Sequence, residues 1–428
     1  MKRRAYLAMA ASVGLAGCTA ALETNEPDVD TTSENQTAEV QSTGRSTSEE
    51  SGEPESSDEP EEPDDPADTD HPEIAGTFDD FEDLSRWTAL EGSLSPADDA
   101  FLGAQSALLE SDEASNRVTI SREFDSPLDL SEVVPGLAVT AEEMVTPTIR
   151  LFDAAGNRID YRRAITGGLP FVRYNFGVRD VDGDPDLSAI TELQVIQWTG
   201  EETVRFRCDD LHFVPRPETG KVMIQFDDGF ETDYTEGFPI LEQYEYPAVT
   251  FVNPSRIGND NRLDVKQAEA LSDAGWAVGN HCNTHPHLSE LKPAKQDAEI
   301  REGKEWLVDH GFEDGARYFA YPFGDFDATT IDLVAKHHDL GFAGGLPAQG
   351  YATNPQLCSR IGDPDAERAC RALDLAAEMR GITTLFYHEL EGQLLEDFET
   401  TIDHLHDLES AGELEVILPS DLEERFLF

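Results

Sequence analysis

In a chain of 428 residues, 88 Asp and Glu stand against 31 Lys and Arg, for a formal net charge of −57. That balance excludes nucleic acid as a partner, because binding a phosphate backbone needs a basic patch, and it makes the folded chain repel itself at ordinary ionic strength. The acidic residues run through apolar, periodic segments as well as polar ones, and only 7 of the 31 basic residues are Lys, a surface composition expected of a protein adapted to concentrated salt, which shortens the range of the repulsion.

Residues 1–18 read as a secretion signal: Lys2, Arg3 and Arg4, a short apolar run, then small residues. The run is too short to span a bilayer. Leu15-Ala16-Gly17-Cys18 resembles a lipobox, which implies lipidation at Cys18 and a membrane anchor. Arg3-Arg4 followed by Ala5-Tyr6-Leu7 resembles a twin-arginine export signal. The expected location is therefore the extracellular face of the cytoplasmic membrane. Residues 19–75 are rich in Glu, Asp, Ser, Thr and Pro and carry almost no large apolar residues, so they are expected to be a solvated acidic tether; Asn35-Gln36-Thr37 within it is a glycosylation acceptor pattern.

Residues 76–217 predict an all-β domain, a jelly-roll-like sandwich. Short strand-like runs recur at 117–120, 137–139, 148–152, 171–178, 192–198, 203–206 and 211–214, separated by turn clusters such as Ala154-Ala155-Gly156-Asn157. The segments Phe78-Asp79-Asp80-Phe81 and Cys208-Asp209-Asp210-Leu211 resemble, loosely, the ends of carbohydrate-binding modules. Trp87 and Trp198 are expected in the core, with stacking on sugar rings as the alternative. Asp182, Asp184 and Asp186 read as a solvated turn rather than a cation site.

From 218 to 428 the pattern changes to strands alternating with helices, which predicts a parallel sheet closed as a distorted (β/α) barrel. Strands are expected at 222–226, 248–252, 276–279, 318–321, 384–387 and 415–418, and helices at 265–274, 295–310, 329–338 and 395–409. The chemistry-bearing residues fall at strand ends. Asp227-Asp228-Gly229 offers two adjacent carboxylates, one to ligate and one to act as a base. His281 and His285, four apart, share a face if the backbone turns helically. Two imidazoles and one carboxylate with open positions make a catalytic rather than a structural metal site. Tyr321-Pro322-Phe323-Gly324 ends another strand with N–H groups available to an oxyanion, and His388 ends a later one as a candidate general acid.

In order and spacing these segments resemble the NodB-type polysaccharide deacetylases (carbohydrate esterase family 4), over residues 220 to about 425. The resemblance implies a metal-dependent hydrolase removing acetyl groups, N-acetyl first, from a polysaccharide. It implies Asp227 as catalytic base, Asp228, His281 and His285 as ligands of a divalent metal (zinc, with cobalt as an alternative), an oxyanion donor at Phe323, and His388 as acid. Arg317 and Arg360 are rival candidates for the arginine that steers Asp227. Cys282 departs from the family pattern and reads as a buried spacer rather than a ligand. His287, His337, His338, His404 and His406 read as surface residues. Cys358 and Cys370 are the candidate disulfide pair, with free buried thiols as the alternative. Two other readings stay open: an O-acetyl esterase, and a surface glycan-binding protein with an idle deacetylase fold. A retaining glycosidase is disfavoured, because adjacent carboxylates cannot flank a bond about 5 Å apart.

Overall fold

A computed structural model describes residues 71–428 apart from 113–114 and 201–202. The export signal, Cys18 and most of the tether lie outside the described residues. Residues 76–215 form two six-stranded antiparallel sheets. One runs Ser93–Ala97, Ser106–Glu110, Arg205–Pro215, Val133–Ala141, Val172–Asn175, with Gly76–Asp79 also paired to Arg205–Pro215. The other runs Gly177–Asp182, Arg158–Arg162, Thr148–Asp153, Ile190–Trp198, Arg117–Leu128, Thr88–Glu91. Two expectations are corrected here. The run 171–178 is not one strand: it breaks at buried Phe176 and its halves enter different sheets, because Gly177 lies against the Leu346 carbonyl, where a Cβ would sit 2.5 Å away. The runs 203–206 and 211–214 are one strand, bulged at Asp209-Asp210. There Asp210 takes φ +44, both carboxylates are fully buried, and Asp209 accepts from the N–H groups of Phe101 and Leu102 at 2.7 and 2.9 Å. The two charged residues are thus the pinned bulge of a central strand.

The two tryptophans part company. Trp87 is 5% exposed and stacks on Phe81 at 5.3 Å, as a core residue should. Trp198 is 45% exposed, with the Arg117 guanidinium 4.7 Å above its ring, so it is not a core residue.

Residues 220–416 form a parallel barrel. Its strands are β1 (Gly220–Asp227), β2 (Val249–Val252), β3 (Ala277–Asn280), β4 (Tyr318–Ala320), β5 (Leu340–Gly344), β6 (Cys358–Gly362) and β7 (Ile382–Tyr387), each paired to the next, with β7 closing on β1. An eighth strand, β8 (Leu414–Val416), pairs with the first residues of β1, while β2 pairs with its last ones. The helices are α1 (Phe238–Glu242), α2 (Val265–Asp273), α3 (Pro293–Asp309), α4 (Ala328–His337), α5 (Ala366–Glu378), α6 (Gly392–Ser410) and α7 (Pro419–Arg425). Their starts are written in the sequence. Asp264 and Gln267 form a capping box at α2, Asp327 and Thr330 another at α4, Asp365 caps α5, and Pro293 opens α3, each satisfying or removing an orphan N–H of the first turn. Every residue of β1 is buried, as expected for a strand covered on both faces.

The antiparallel sheets and the barrel share one hydrophobic cluster that includes Val134, Phe176 and Val214 together with Phe319, Tyr321 and Leu357. The loop 345–357, between β5 and β6, is stitched to the sheets: Val178 N–H donates to Pro347 at 2.8 Å, Tyr351 N–H to Pro215 at 2.9 Å, and the Asn175 side chain bonds Tyr351 and Thr353 at 2.7 and 2.9 Å. Cys208, Cys282, Cys358 and Cys370 are all free, so the candidate pair Cys358–Cys370 is not formed.

Candidate active site at the barrel mouth

The carboxyl ends of β1, β3, β6 and β7 converge on one mouth. At the end of β1 the chain turns left-handed at Asp228 (φ +74) and Gly229 (φ +59), which lets adjacent carboxylates face the same cavity. Gly229 is also needed for space, since a Cβ there would sit 2.9 Å from Val252 Cγ1. Asp227 is 2% exposed and held by a two-pronged ion pair from Arg360 on β6, at 2.7 and 2.8 Å. Burial alone would raise its carboxyl, but the Arg360 guanidinium and the neighbouring His281 outweigh burial and hold it below the usual carboxylate range.

The Asp228 carboxylate meets Arg256 at 3.0 Å, and its backbone carbonyl accepts from Arg262 at 3.0 Å. His281, 1% exposed, makes a hydrogen bond from Nδ1 to the Ala320 carbonyl at 2.7 Å, which turns Nε2 into the cavity. Burial lowers its pKa against the pull of Asp227 and Asp228. His285 Nε2 lies 3.3 Å from Asp228 Oδ1, and burial, then the neighbouring His281, bring its imidazole down to about 4. One ligand atom each from Asp228, His281 and His285 lie within 4.8 Å of one another. The donor set fits a divalent ion: two imidazoles kept neutral, each with Nε2 inward, and one carboxylate. The expected helical turn between the two histidines is corrected. Cys282 and His285 both sit at positive φ, +64 and +66, so a kinked loop brings the rings to 4.8 Å. Cys282 is fully buried, its thiol pushed well up by burial, and belongs to the large hydrophobic cluster, outside the ligand cluster.

On the far wall, His388 follows β7. Its Nδ1 pairs with Asp363 Oδ2 at 2.6 Å, and its N–H donates to Asp363 Oδ1 at 2.9 Å. Burial alone would lower this imidazole, but the Asp363 hydrogen bond and the field of Asp227 outweigh it and raise it above its ordinary value. Phe323 sits at φ +59 with its ring 61% exposed, stacked on His287 at 4.0 Å and edge-on to His285 at 4.3 Å. In its turn the N–H groups of Gly324 and Asp325 are taken by the carbonyls of Tyr321 and Pro322, leaving the Phe323 N–H as the available donor. Asp227, Asp228, His281, His285, Phe323 and His388 all line one cavity of about 490 Å³.

Arg317 is a correction. It lies before β4, at the barrel end away from the mouth, paired with Asp339 at 2.7 Å and with Glu423. A residue preceding a parallel strand cannot reach the end where its neighbours finish. His338 is a second correction: it is 3% exposed, bonded to Ala316 and Asn280 at 3.0 and 3.1 Å, and burial pushes it down to about 3. His287 belongs to the mouth through its stacking on Phe323. Arg256, Arg262 and Asp363 are site residues that the sequence reading missed. Asp363 directly follows β6, and recognising that strand in Cys358-Ser359-Arg360-Ile361 would have placed it at the mouth.

Residues 215–341 match the family model for polysaccharide deacetylase. A putative polysaccharide deacetylase of Bacillus subtilis, YxkH, is 28% identical over 145 residues, covering 34% of this chain and 49% of that protein. The poly-beta-1,6-N-acetyl-D-glucosamine N-deacetylase of Staphylococcus epidermidis is 27% identical over 179 residues, covering 37% of this chain and 60% of that protein. The chain thus spans about half the length of these relatives. Among solved structures, a family 4 carbohydrate esterase from Streptomyces lividans in complex with acetate aligns with a TM-score of 0.36 at 20% identity, covering 47% of this chain and 94% of that one.

Proposed function

We propose that the polysaccharide deacetylase domain of this chain is a working, metal-dependent hydrolase that removes N-acetyl groups from an extracellular or cell-surface polysaccharide. The observation that carries this reading is the division of the mouth into two sets. Asp228, His281 and His285 form the ligand cluster, while Asp227, locked by Arg360, and His388, paired with Asp363, stand free of it as base and acid. The idle-fold alternative would leave no reason for two separately anchored proton-transfer groups.

Asp228, His281 and His285 would hold zinc or cobalt. Such an ion supplies Lewis acidity toward the acetyl carbonyl and toward water. Asp227, kept charged by Arg360, takes a proton from the attacking water as its oxygen bonds to the acetyl carbon. The Phe323 N–H faces the developing oxyanion. His388, kept protonated by Asp363, gives a proton to the leaving nitrogen as the carbon–nitrogen bond breaks, releasing acetate and a free amine. An amide leaving group depends on that proton more than an ester oxygen does, so the His388–Asp363 pair favours N-deacetylation over O-deacetylation. The name of the Staphylococcus relative makes an N-acetylglucosamine polymer the first substrate to test. We place the protein outside the cell, anchored at Cys18 and exported by the twin-arginine route, with the antiparallel sheets as a carbohydrate-binding sandwich.

The test is acetate release from N-acetylglucosamine oligomers in molar salt, with metal analysis alongside. Chelation should abolish release, and zinc or cobalt should restore it. Asp228→Asn and His281→Ala should lose metal and activity together. Asp227→Asn and His388→Ala should keep the metal and lose about 10²–10⁴-fold in rate. Metal retention in the first pair, or loss in the second, would reverse the assignment.

A further inference from the structure

We propose that a second cavity, beside the mouth, is an anion subsite that takes an acidic sugar of the same glycan; this rests on the deacetylase reading and names a substrate class for it. The cavity, of about 410 Å³, lies between the antiparallel sheets and the barrel and shares Gly324, Gly344 and Gly345 with the mouth as a common wall. Gly344 has nothing within 4 Å of where its Cβ would sit, so the wall is low there and a chain seated in one cavity continues into the other.

Three arginines line this cavity: Arg162, Arg163 and Arg179. None has a carboxylate within ion-pair distance among the described residues. Their neighbours do. Arg150 and Arg158 hold Asp160 at 2.7 and 2.8 Å, and Arg173 holds Asp210 at 2.5 Å. With 88 acidic residues against 31 basic ones, grouping three arginines with none in an ion pair runs against the composition; the Asp160 carboxylate, held by Arg150 and Arg158, acts on Arg162 only at longer range.

The cavity is also built of unsatisfied groups. Arg163 is 3% exposed and bonds Ser359 Oγ and, at 3.2 Å, the Leu357 carbonyl, yet its Nε has no partner. Tyr174 is 2% exposed and its hydroxyl has none either. Arg162 donates to Thr146 Oγ1 at 2.9 Å, and Arg179, on the adjacent strand, bears on it as a like charge. The Arg163 Nε and the Tyr174 hydroxyl are buried donors without partners, a costly arrangement, while Arg162 is half-buried and Arg179 exposed, open to an incoming anion. Arginine forks match both a carboxylate and a sulfate ester, so the ligand is a uronate or a sulfated sugar next to the acetylated one.

Calorimetry on the full chain at fixed ionic strength would test this with three tetrasaccharides: neutral N-acetylglucosamine, uronate-bearing and sulfated. One acidic oligomer should bind at least about tenfold more tightly than the neutral one, the worth of one charge-assisted hydrogen bond. Arg179→Gln and Arg162→Gln should each erase that preference and leave neutral binding unchanged. The two acidic arms tell carboxylate from sulfate. Equal affinity for all three, a preference untouched by both variants, or binding of free inorganic sulfate as tight as of the sulfated oligomer would overturn the proposal. Arg163 is left intact because it bridges sheet and barrel. Binding is read without turnover. Acidic preference without acetate release would therefore sink the deacetylase reading alone, and acetate release without acidic preference would sink the anion subsite alone.

Discussion

Replacing Arg360 by Met removes the guanidinium, whose carbon lies 4.0 Å over the Phe386 ring, but keeps an apolar stem of similar length. The side chains of Arg360 and Asp227 are each 3% exposed, so little solvent screening softens the loss. Removing one partner of a buried pair and stranding the other typically costs about 3–5 kcal/mol. The His281 imidazole, with Nε2 at 3.8 Å from Asp227, is too far to replace two direct hydrogen bonds. Asp227→Asn alone should also destabilise, because it strands Arg360 with only Gln225 at 3.5 Å. In the double variant Arg360→Met with Asp227→Asn neither charge remains, and most of the loss should return, giving a coupling of about 2–3 kcal/mol. Urea unfolding of the four proteins, in one molar salt buffer, measures it. Molar salt should not erase the coupling, since buried pairs are screened far less than exposed ones. Additive losses, with the double variant as unstable as the two singles summed, would refute the idea that this ion pair is what makes a buried Asp227 tolerable.

His388 is raised by Asp363, so its acid form persists to higher pH than an ordinary imidazole's; Asp363→Asn should move the alkaline limb of the pH–rate profile downward, and an unmoved limb would show that Asp363 only positions the ring. The formal charge of −57 predicts that the melting temperature falls as salt is withdrawn, since the Debye length grows from about 3 Å at 1 M to about 10 Å at 0.1 M; a melting point that holds or rises in dilute buffer would count against salt adaptation. Cys18→Ser should free the protein from membranes, as read by fractionation and by the mass of the mature N-terminus, and unchanged fractionation would argue against a lipid anchor.

Much of the mouth was legible in the sequence because its residues sit in short local patterns at strand ends. Asp227-Asp228-Gly229 and His281 with His285 each announce themselves within five residues. The residues that hold these groups in place did not, because each acts across the barrel. Arg360 could be told from Arg317 only by knowing which end of its strand it occupies. Asp363 stayed hidden because β5 and β6 are five residues each and carry glycines, so they lack the continuous apolar run that marked β1. The amphipathic helix α5 was missed with them. In the antiparallel sheets the outward cue was charge. Nothing local in Asp209-Asp210 marks a bulge; its long-range partners (Arg173, Thr77 and the Phe101 loop) make it one.

The loop 345–357 has a consequence for how this protein changes over time. Its backbone is held on one side by Pro215, Asn175 and Val178 and on the other by the barrel strands it joins. The same loop carries Gly345, where any side chain would strike Ser359 and Arg163. The barrel therefore cannot be exchanged as a cassette, as a domain on a free linker can. A substitution accepted on the sheet side of the seam alters what the barrel side will tolerate. The two halves must drift together, and the cavity between them records what both have been selected to hold.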